Sequence, residues 1–442
     1  MSTTSIIGGG ISGLSCASWL PDALLFEKSE HVGGWVRTIS HSTGIPLELA
    51  ANGWLNNEPA VDRLLAALDL QDQVLPASPE QKIRWIYNQN LVALPSAPPN
   101  IFRSPLLSFW SKIRLLWEPF VGRNKNEKEE SVAEFVSRRL GSGVINHLLA
   151  PMTAGIFAAQ PEELSLRAAF PKMFEMEEEH GSLLRALLKR GKSSPPRLCS
   201  LKNGSGVLCQ TIAHRLSDRL QTQKKALSLD RIGNRWRIHF EDGEHESDTV
   251  VLSCPAYAQA SILRANMPIL ANHLDQIQYS SVVLAISIYP RSSCNPRGFG
   301  ALVSRDAELH GALGVLFSSS IFPTRVPEDY TVTRTILGGT RYPKLIDLPE
   351  EELKERVASI HHKLFGATNP KDILIFKHHN AIPLYEVGHY RRQNAISAIL
   401  QQYPGLFLLG NHLFGVGVKD CIRNGEQTAQ RVKAYLQNQD SA

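Results

Sequence analysis

A glycine-rich turn stands almost at the start of this chain and constrains its fold more than any other stretch. Ile6-Ile7-Gly8-Gly9-Gly10-Ile11-Ser12-Gly13 fits G-x-G-x-x-G through Gly8, Gly10 and Gly13. The apolar run Ala23-Leu24-Leu25-Phe26 ends at Glu27, nineteen residues past Gly8. This pattern predicts a strand, a tight turn, a helix (Leu14 to Leu20) and a second strand with a carboxylate at its tip. Such a unit suits an adenine dinucleotide. Glycines admit the pyrophosphate to the backbone, the helix N-terminus faces its charge, and Glu27 accepts from the ribose hydroxyls. The triplet alone also fits a tight turn in some other α/β protein, so the residues that follow matter.

Those residues are Lys28-Ser29-Glu30-His31-Val32-Gly33-Gly34-Trp35-Val36-Arg37. A second glycine pair after the ribose carboxylate passes the chain by the pyrophosphate and towards a flavin. NAD domains have less need of it, so the dinucleotide reads as FAD. Arg37 either neutralises phosphate charge or is a solvated surface arginine.

With 442 residues, 43% of them hydrophobic, the chain can bury a large core in two or three domains. Its formal charge of +5 permits an anionic substrate or an anionic membrane surface and singles out neither. No compact Lys/Arg block carries interleaved aromatics, so no nucleic-acid partner is expected. The six cysteines form no C-x-x-C pair, which argues against a metal cluster or a disulfide framework. They read as small apolar residues, Cys421 included. The pairs His361-His362 and His378-His379, and also His412, lack carboxylates or cysteines at ligand spacing, and no metal is expected. No leader is expected before the first strand, and no run reaches the ~18 apolar residues of a spanning helix.

Further along, Pro59 to Leu70 has helical spacing, and Ile83–Tyr87 with Leu91–Leu94 reads as a β-hairpin about Asn88-Gln89-Asn90. Between 95 and about 196, prolines punctuate helical blocks. Leu106, Phe109, Trp110, Ile113, Leu116, Trp117 and Phe120 recur at near-helical spacing among Arg103, Lys112, Arg114 and Arg123. The block is either an interfacial helix dipping into lipid headgroups or a core-facing helix. Residues 124–130 read as a solvated charge run. Strands are expected at 226–240, 249–255, 280–340 and 406–409, and helices at 350–364 and 425–436. A helix starting near Cys421 would aim its positive end at the flavin N1–C2=O edge.

Several of these stretches resemble the oxygen-dependent protoporphyrinogen oxidase family, FAD enzymes of haem synthesis within the monoamine-oxidase-like flavoproteins. They are Val32-Gly33-Gly34-Trp35-Val36-Arg37, Arg139-Leu140-Gly141, Glu163-Leu164-Ser165-Leu166-Arg167 with Phe170-Pro171, and Gly298-Phe299-Gly300-Ala301-Leu302-Val303. The last runs from Leu409-Gly410 through Gly415-Val416-Gly417-Val418-Lys419-Asp420-Cys421-Ile422 to Gly425. The resemblance spans essentially the whole chain. It implies an α/β plus α+β fold with a discontinuous Rossmann-like FAD-binding domain (1–82, 200–265 and 400–442). A mixed-sheet substrate domain (83–95 and 266–399) and a mainly helical, membrane-associated part (96–199) complete it.

Carried over by position, the resemblance implies cofactor contacts from Gly8, Gly10, Ile11, Ser12, Gly13, Glu27, Lys28, Gly33, Gly34, Trp35 and Arg37. It adds Asn52, Gly53, Trp54, Gly410, Val416 and Val418. Arg84 is implied to pair with a tetrapyrrole propionate, and Phe299 and Leu302 to hold a pyrrole ring. Gly300 is implied as the backbone position nearest the carbon that gives up hydride, and Ile336 as apolar surface on the flavin side. Two positions depart from the family pattern. After Glu48 the family often has L-G-P-R-G, where this chain has Leu49-Ala50-Ala51-Asn52-Gly53, and Ile336 stands where methionine is common.

The implied reaction oxidises protoporphyrinogen IX to protoporphyrin IX in three two-electron steps, with dioxygen as terminal acceptor and peroxide as by-product. Coproporphyrinogen III oxidation uses the same electron chemistry and is the near alternative. An amine oxidase and a non-catalytic FAD-binding membrane adaptor are more distant ones. The implied partners are the porphyrinogen, O2, a ferrochelatase-like acceptor of the product, a second copy of the chain and a membrane surface. The expected location is peripheral on the cytoplasmic face of a membrane, or cytoplasmic.

Overall fold

A computed structural model describes residues 3–94, 102–124, 128–189 and 195–440. The chain divides into two compact units. One comprises Met1–Pro76, Pro196–Ile277 and Arg391–Ala442, and the other Ala77–Pro195 and Gln278–Tyr390. The stretch expected as a separate helical part, 96–199, belongs to the second unit up to Pro195, because its helix Ala150–Phe157 packs on that unit's sheet. The breaks expected after residues 82, 265 and 399 lie instead after 76, 277 and 390. Residues 95–101, and residues 125–127 of the charged run, lie outside the described residues.

The first unit is built on five parallel strands in the order Leu220–Gln221, Ala23–Phe26, Thr4–Ile7, Thr249–Leu252, Leu406–Leu408. Val250, Val251 and Leu252 are completely buried, as an inner strand covered on both faces requires. The first helix is Ile11–Ser18, three residues earlier than its apolar pattern suggests, because extended Gly10 already serves as its N-cap. It packs against the C-terminal helix Val418–Asp440. A Cβ on Gly425 would lie 2.8 Å from the Ser12 carbonyl oxygen, and the Ser15 hydroxyl donates to the Ile422 carbonyl at 3.0 Å. Only glycine permits that approach.

The second unit carries a seven-stranded sheet. Its order is Asp372–Pro383, Tyr279–Pro290, Tyr330–Gly338, Ala312–Leu316, Gly300–Val303, Arg84–Asn88, Asn90–Ala93. All neighbours are antiparallel except Arg84–Asn88 and Gly300–Val303. Helix Glu350–Phe365 covers one face, setting Leu353, Val357 and Ile360 against Val283, Ala285, Val315 and Leu337. The expected hairpin forms, with Gln89 at φ +65° in its turn.

The Arg139-Leu140-Gly141 motif is structural. Arg139 is fully buried; its Nε donates to Glu177 at 2.7 Å and its Nη1 to Glu118 at 3.2 Å. Arg138 joins Glu177 to Glu130. Glu118 in turn accepts from the backbone N–H groups of Leu183 and Leu184, capping helix Leu183–Lys189. This network holds a helix, Phe109–Leu116, that buries none of its residues. Trp110 is 75% exposed, and Phe109, Leu116, Trp117 and Phe120 are also exposed, which rules out a core-facing helix. Among the described residues, no helix is long and apolar enough to cross a membrane.

Candidate functional site

In the first unit, the strand Thr4–Ile7 delivers the chain into the glycine turn. Gly8 has φ +113°, and a Cβ there would lie 2.8 Å from the Cys254 nitrogen. A Cβ on Gly13 would lie 2.1 Å from the Gly8 carbonyl oxygen and 2.4 Å from Ser253 Oγ. These two glycines therefore serve the fold itself. Gly10 differs, since a Cβ there would meet nothing within 4 Å. Its lack of a side chain leaves open space beside the helix N-terminus. The helix has no side-chain cap and no acidic residue in its first turn, so its first N–H groups face that space uncompensated. This cradle fits a pyrophosphate.

Glu27 is held at the second strand's tip. Its carboxylate accepts from Gly9 N–H at 2.7 Å, Ser29 N–H at 2.9 Å and Ser29 Oγ at 2.8 Å. Lys28 beside it is exposed. The second glycine pair sits directly on the first turn. Gly33 N–H donates to the Gly9 carbonyl at 2.7 Å, and a Cβ on Gly34 would lie 3.4 Å from Gly10 Cα. The chain then runs beside residues 49–51, with Leu49 N–H donating to the Arg37 carbonyl and Ala51 N–H to that of Trp35. This brings Trp35 and Arg37 alongside the segment ending at Asn52. The Arg37 guanidinium makes no hydrogen bond or ion pair among the described residues, and is only part-exposed. Gly53 lies against the Cys199 carbonyl, and buried Trp54 pairs with Cys199 in a small antiparallel sheet.

The C-terminal loop completes this unit. Gly410 has φ +147° and packs on the fully buried His412 ring. Val416 and Val418 are half-buried. Asp420, which sequence reasoning gave no role, lies under the loop. A Cβ on Gly415 or Gly417 would lie 2.7 or 2.9 Å from it. Arg423 ties Asp420 to Glu58 at 3.0 and 3.2 Å. The helix therefore begins at Val418, three residues before the expected start at Cys421.

In the second unit, register brings residues from distant sequence positions into one surface. Gly300 pairs with Arg84 and Leu316, and Leu316 pairs with Arg334. Leu302 pairs with Gly314, and Gly314 with Ile336. Cross-strand partners, and residues two apart on a strand, point the same way. Arg84, Gly300, Leu302, Leu316, Ile336 and the buried Arg334 thus share the face opposite helix Glu350–Phe365. Leu302, Leu316 and Ile336 are half-buried, while Ala301, Val303, Val315, Thr335 and Leu337 on the other face are buried. A Cβ on Gly300 would lie 2.4 Å from the Val315 carbonyl oxygen. Phe299 precedes its strand, between Gly298 at φ +116° and Gly300, and its ring lies 5.1 Å below the Arg84 guanidinium. Arg84 is exposed and makes no ion pair among the described residues. Gly155 joins the same surface, since a Cβ on it would lie 3.0 Å from Leu302 Cδ2. A glycine inside helix Ala150–Phe157 was the one sequence sign of it.

Thiol chemistry finds no support. Burial pushes Cys16 and Cys209 up to about 12 and Cys421 to about 11, so all three are protonated at neutral pH. His361 is a core histidine. Its ring nitrogens meet Tyr289 Oη at 3.0 Å and Thr335 Oγ1 at 2.7 Å, and burial pushes it down to about 3. Among the described residues, no group of three His, Cys, Asp or Glu could hold a metal ion.

Comparison with known proteins agrees with this architecture. The family described as flavin containing amine oxidoreductase matches residues 11–433. Protoporphyrinogen oxidase 2 of Arabidopsis thaliana is 31% identical over 98% of this chain and 94% of its own length. Protoporphyrinogen oxidase of Homo sapiens is 31% identical over 97% of this chain and 98% of its own. In fold, a protein of Exiguobacterium superposes with a TM-score of 0.84 at 23% identity, covering 98% of this chain and 99% of that one. Cyclohexylamine oxidase of Brevibacterium oxydans gives 0.74 at 16% identity, covering 99% of each chain. The mixed α/β architecture with a Rossmann-like sheet and helical parts is thus that of the amine oxidase fold. This chain belongs to the flavin-containing amine oxidoreductase family, an FAD-dependent oxidoreductase closely related to the protoporphyrinogen oxidases.

Proposed function

We propose that this protein oxidises protoporphyrinogen IX to protoporphyrin IX, using FAD and dioxygen and releasing hydrogen peroxide. The observation that carries the reading is the second unit's sheet face. Leu302, Leu316 and Ile336 form an apolar strip, with buried Arg334 beside Leu316, that ends at Arg84, an exposed cation without a carboxylate partner among the described residues. A large flat ring system with carboxylate arms matches that combination. Arg84 pairs with a propionate through its planar fork. Phe299 supports the guanidinium from below and, with Leu302, flanks a pyrrole ring. Ile336 extends the apolar surface. Gly300, with no side chain, keeps the backbone close to the ring's bridge carbon.

Glu27, the N–H groups after Gly10, and the second glycine pair hold the dinucleotide, with Trp35, Arg37, Asn52, Gly53, Gly410, Val416 and Val418 further along it. The flavin, when bound, accepts two electrons in each of three steps and passes them to dioxygen. Gly300, Leu302, Leu316 and Ile336 carry no acid or base, so this face binds and orients the ring. The pyrrole proton released in each step passes to solvent.

We also infer a peripheral membrane contact, on the cytoplasmic face, through Phe109, Trp110, Leu116, Trp117 and Phe120. Exposed Arg103 and Arg123 and half-buried Lys112 lie nearby in sequence and suit lipid headgroups. The test of function compares kcat/KM for protoporphyrinogen IX and coproporphyrinogen III by porphyrin fluorescence and peroxide release. Preference for protoporphyrinogen is expected. The reverse preference moves the substrate to coproporphyrinogen, and oxidation of amines alone defeats the tetrapyrrole reading.

A further inference from the structure

The first unit holds a cavity of about 290 Å³ that the proposed reaction does not use. It opens beside Leu406–Leu408, the edge strand of the parallel sheet. Its walls are mostly apolar, with Leu400, Phe407, Leu413 and Phe414 prominent, and Arg431, an exposed residue, is the only charged one among the described residues that line it. The guanidinium donates to Thr428 Oγ1 at 3.1 Å and lies 5.9 Å from the Phe407 ring centroid. It forms no ion pair among the described residues, and its remaining N–H groups are open to an acceptor. Ser397, Gln401, Tyr403 and Tyr435 contribute neutral polar groups to the lining.

An apolar cavity with one cation and no acidic residue in its lining favours a ligand with a hydrocarbon body and one negative head. The geometry points to a binding site for a medium-chain fatty acid, its carboxylate on Arg431 and its chain along Phe407 and Leu413. Arg431 suits that head, because a guanidinium meets a carboxylate through two parallel hydrogen bonds. The site lies wholly within the first unit and does not depend on the porphyrinogen reading.

Titration of the FAD-loaded protein with decanoate, followed by calorimetry, tests the assignment. One saturable site per chain is expected. Arg431→Gln should weaken binding at least tenfold, and decanol should bind wild type at least tenfold more weakly than decanoate. Leu400→Trp should block uptake by filling the cavity, and Arg84→Ala should leave it unchanged. Absence of saturable binding, equal affinity for decanol and decanoate, or loss of binding in Arg84→Ala would overturn the proposal. So would unaltered binding in Arg431→Gln. Should that variant fail to fold, the comparison of decanoate with decanol on wild type decides the matter.

Discussion

The Arg84 guanidinium lies 5.1 Å from the centroid of the Phe299 ring, although more than two hundred residues separate them in sequence. Pairing of Arg84 with Gly300 produces the contact. The ring steadies the cation by cation–π attraction without neutralising it. Arg84 is thereby kept available for an incoming carboxylate.

Replacing Arg84 with alanine should therefore raise KM for porphyrinogen roughly ten- to a hundredfold, the equivalent of about 1.5–3 kcal/mol for a charged hydrogen bond. FAD content and thermal stability should stay as in wild type. Arg84→Lys should recover part of the loss, keeping the charge without the fork. A fall in melting temperature with KM unmoved would mean that Arg84 serves only the hairpin.

Two glycines of the same motif should behave oppositely. Gly10→Ala meets open space and should leave the melting temperature of the FAD-free protein unchanged while weakening FAD binding. Gly13→Ala drives a Cβ to 2.1 Å from the Gly8 carbonyl and should destabilise the FAD-free protein outright. Melting curves with and without FAD separate the two effects. Equal behaviour of both variants would contradict an open cradle at Gly10.

Much of the first unit was legible because its signals are local. The turn, its helix, Glu27 and the second glycine pair lie within thirty residues of one another, and the strand, turn, helix and second strand form in the expected order. The hairpin at Arg84 was legible through alternation and its turn residues. The shared sheet face was not. It depends on register between strands far apart in the chain, which alternation within one strand does not specify. Leu316 and Gly155 went unnoticed for that reason, as did Asp420 beneath Gly415. The block from Leu106 to Phe120 was ambiguous for another reason: one helical period serves a core-facing helix and an interfacial helix alike. Only its exposure separates them.

The buried network around Arg139 predicts a response to acid. Burial works against the Glu177 charge, but hydrogen bonds from Arg138 and Arg139 prevail and hold its carboxyl below the usual value of 4.5. Its folded pKa is thus depressed. The stabilisation is fully present above about pH 4.5 and is lost as pH falls through the folded value. Melting temperature should drop between pH 5 and pH 3, and less steeply in Glu177→Gln. Arg139→Met should cost about 3–5 kcal/mol at neutral pH by leaving Glu118 buried without a cation and Glu177 with Arg138 alone. Urea melts measure that directly.

Trp110 and Trp117 should mediate membrane contact. Changing both to serine should abolish cosedimentation with anionic vesicles while leaving the melting temperature within about 1 °C of wild type, since both rings are exposed. Unchanged cosedimentation would place any lipid contact elsewhere.

Under the proposed function, the glycine turn that holds FAD and the sheet face ending at Arg84 serve a single redox reaction. Anaerobic addition of protoporphyrinogen IX to the FAD-loaded protein tests it most directly. The visible flavin absorbance should bleach, porphyrin fluorescence should appear in step, and the yellow colour should return on admitting air. A flavin that stays oxidised through the addition would contradict it.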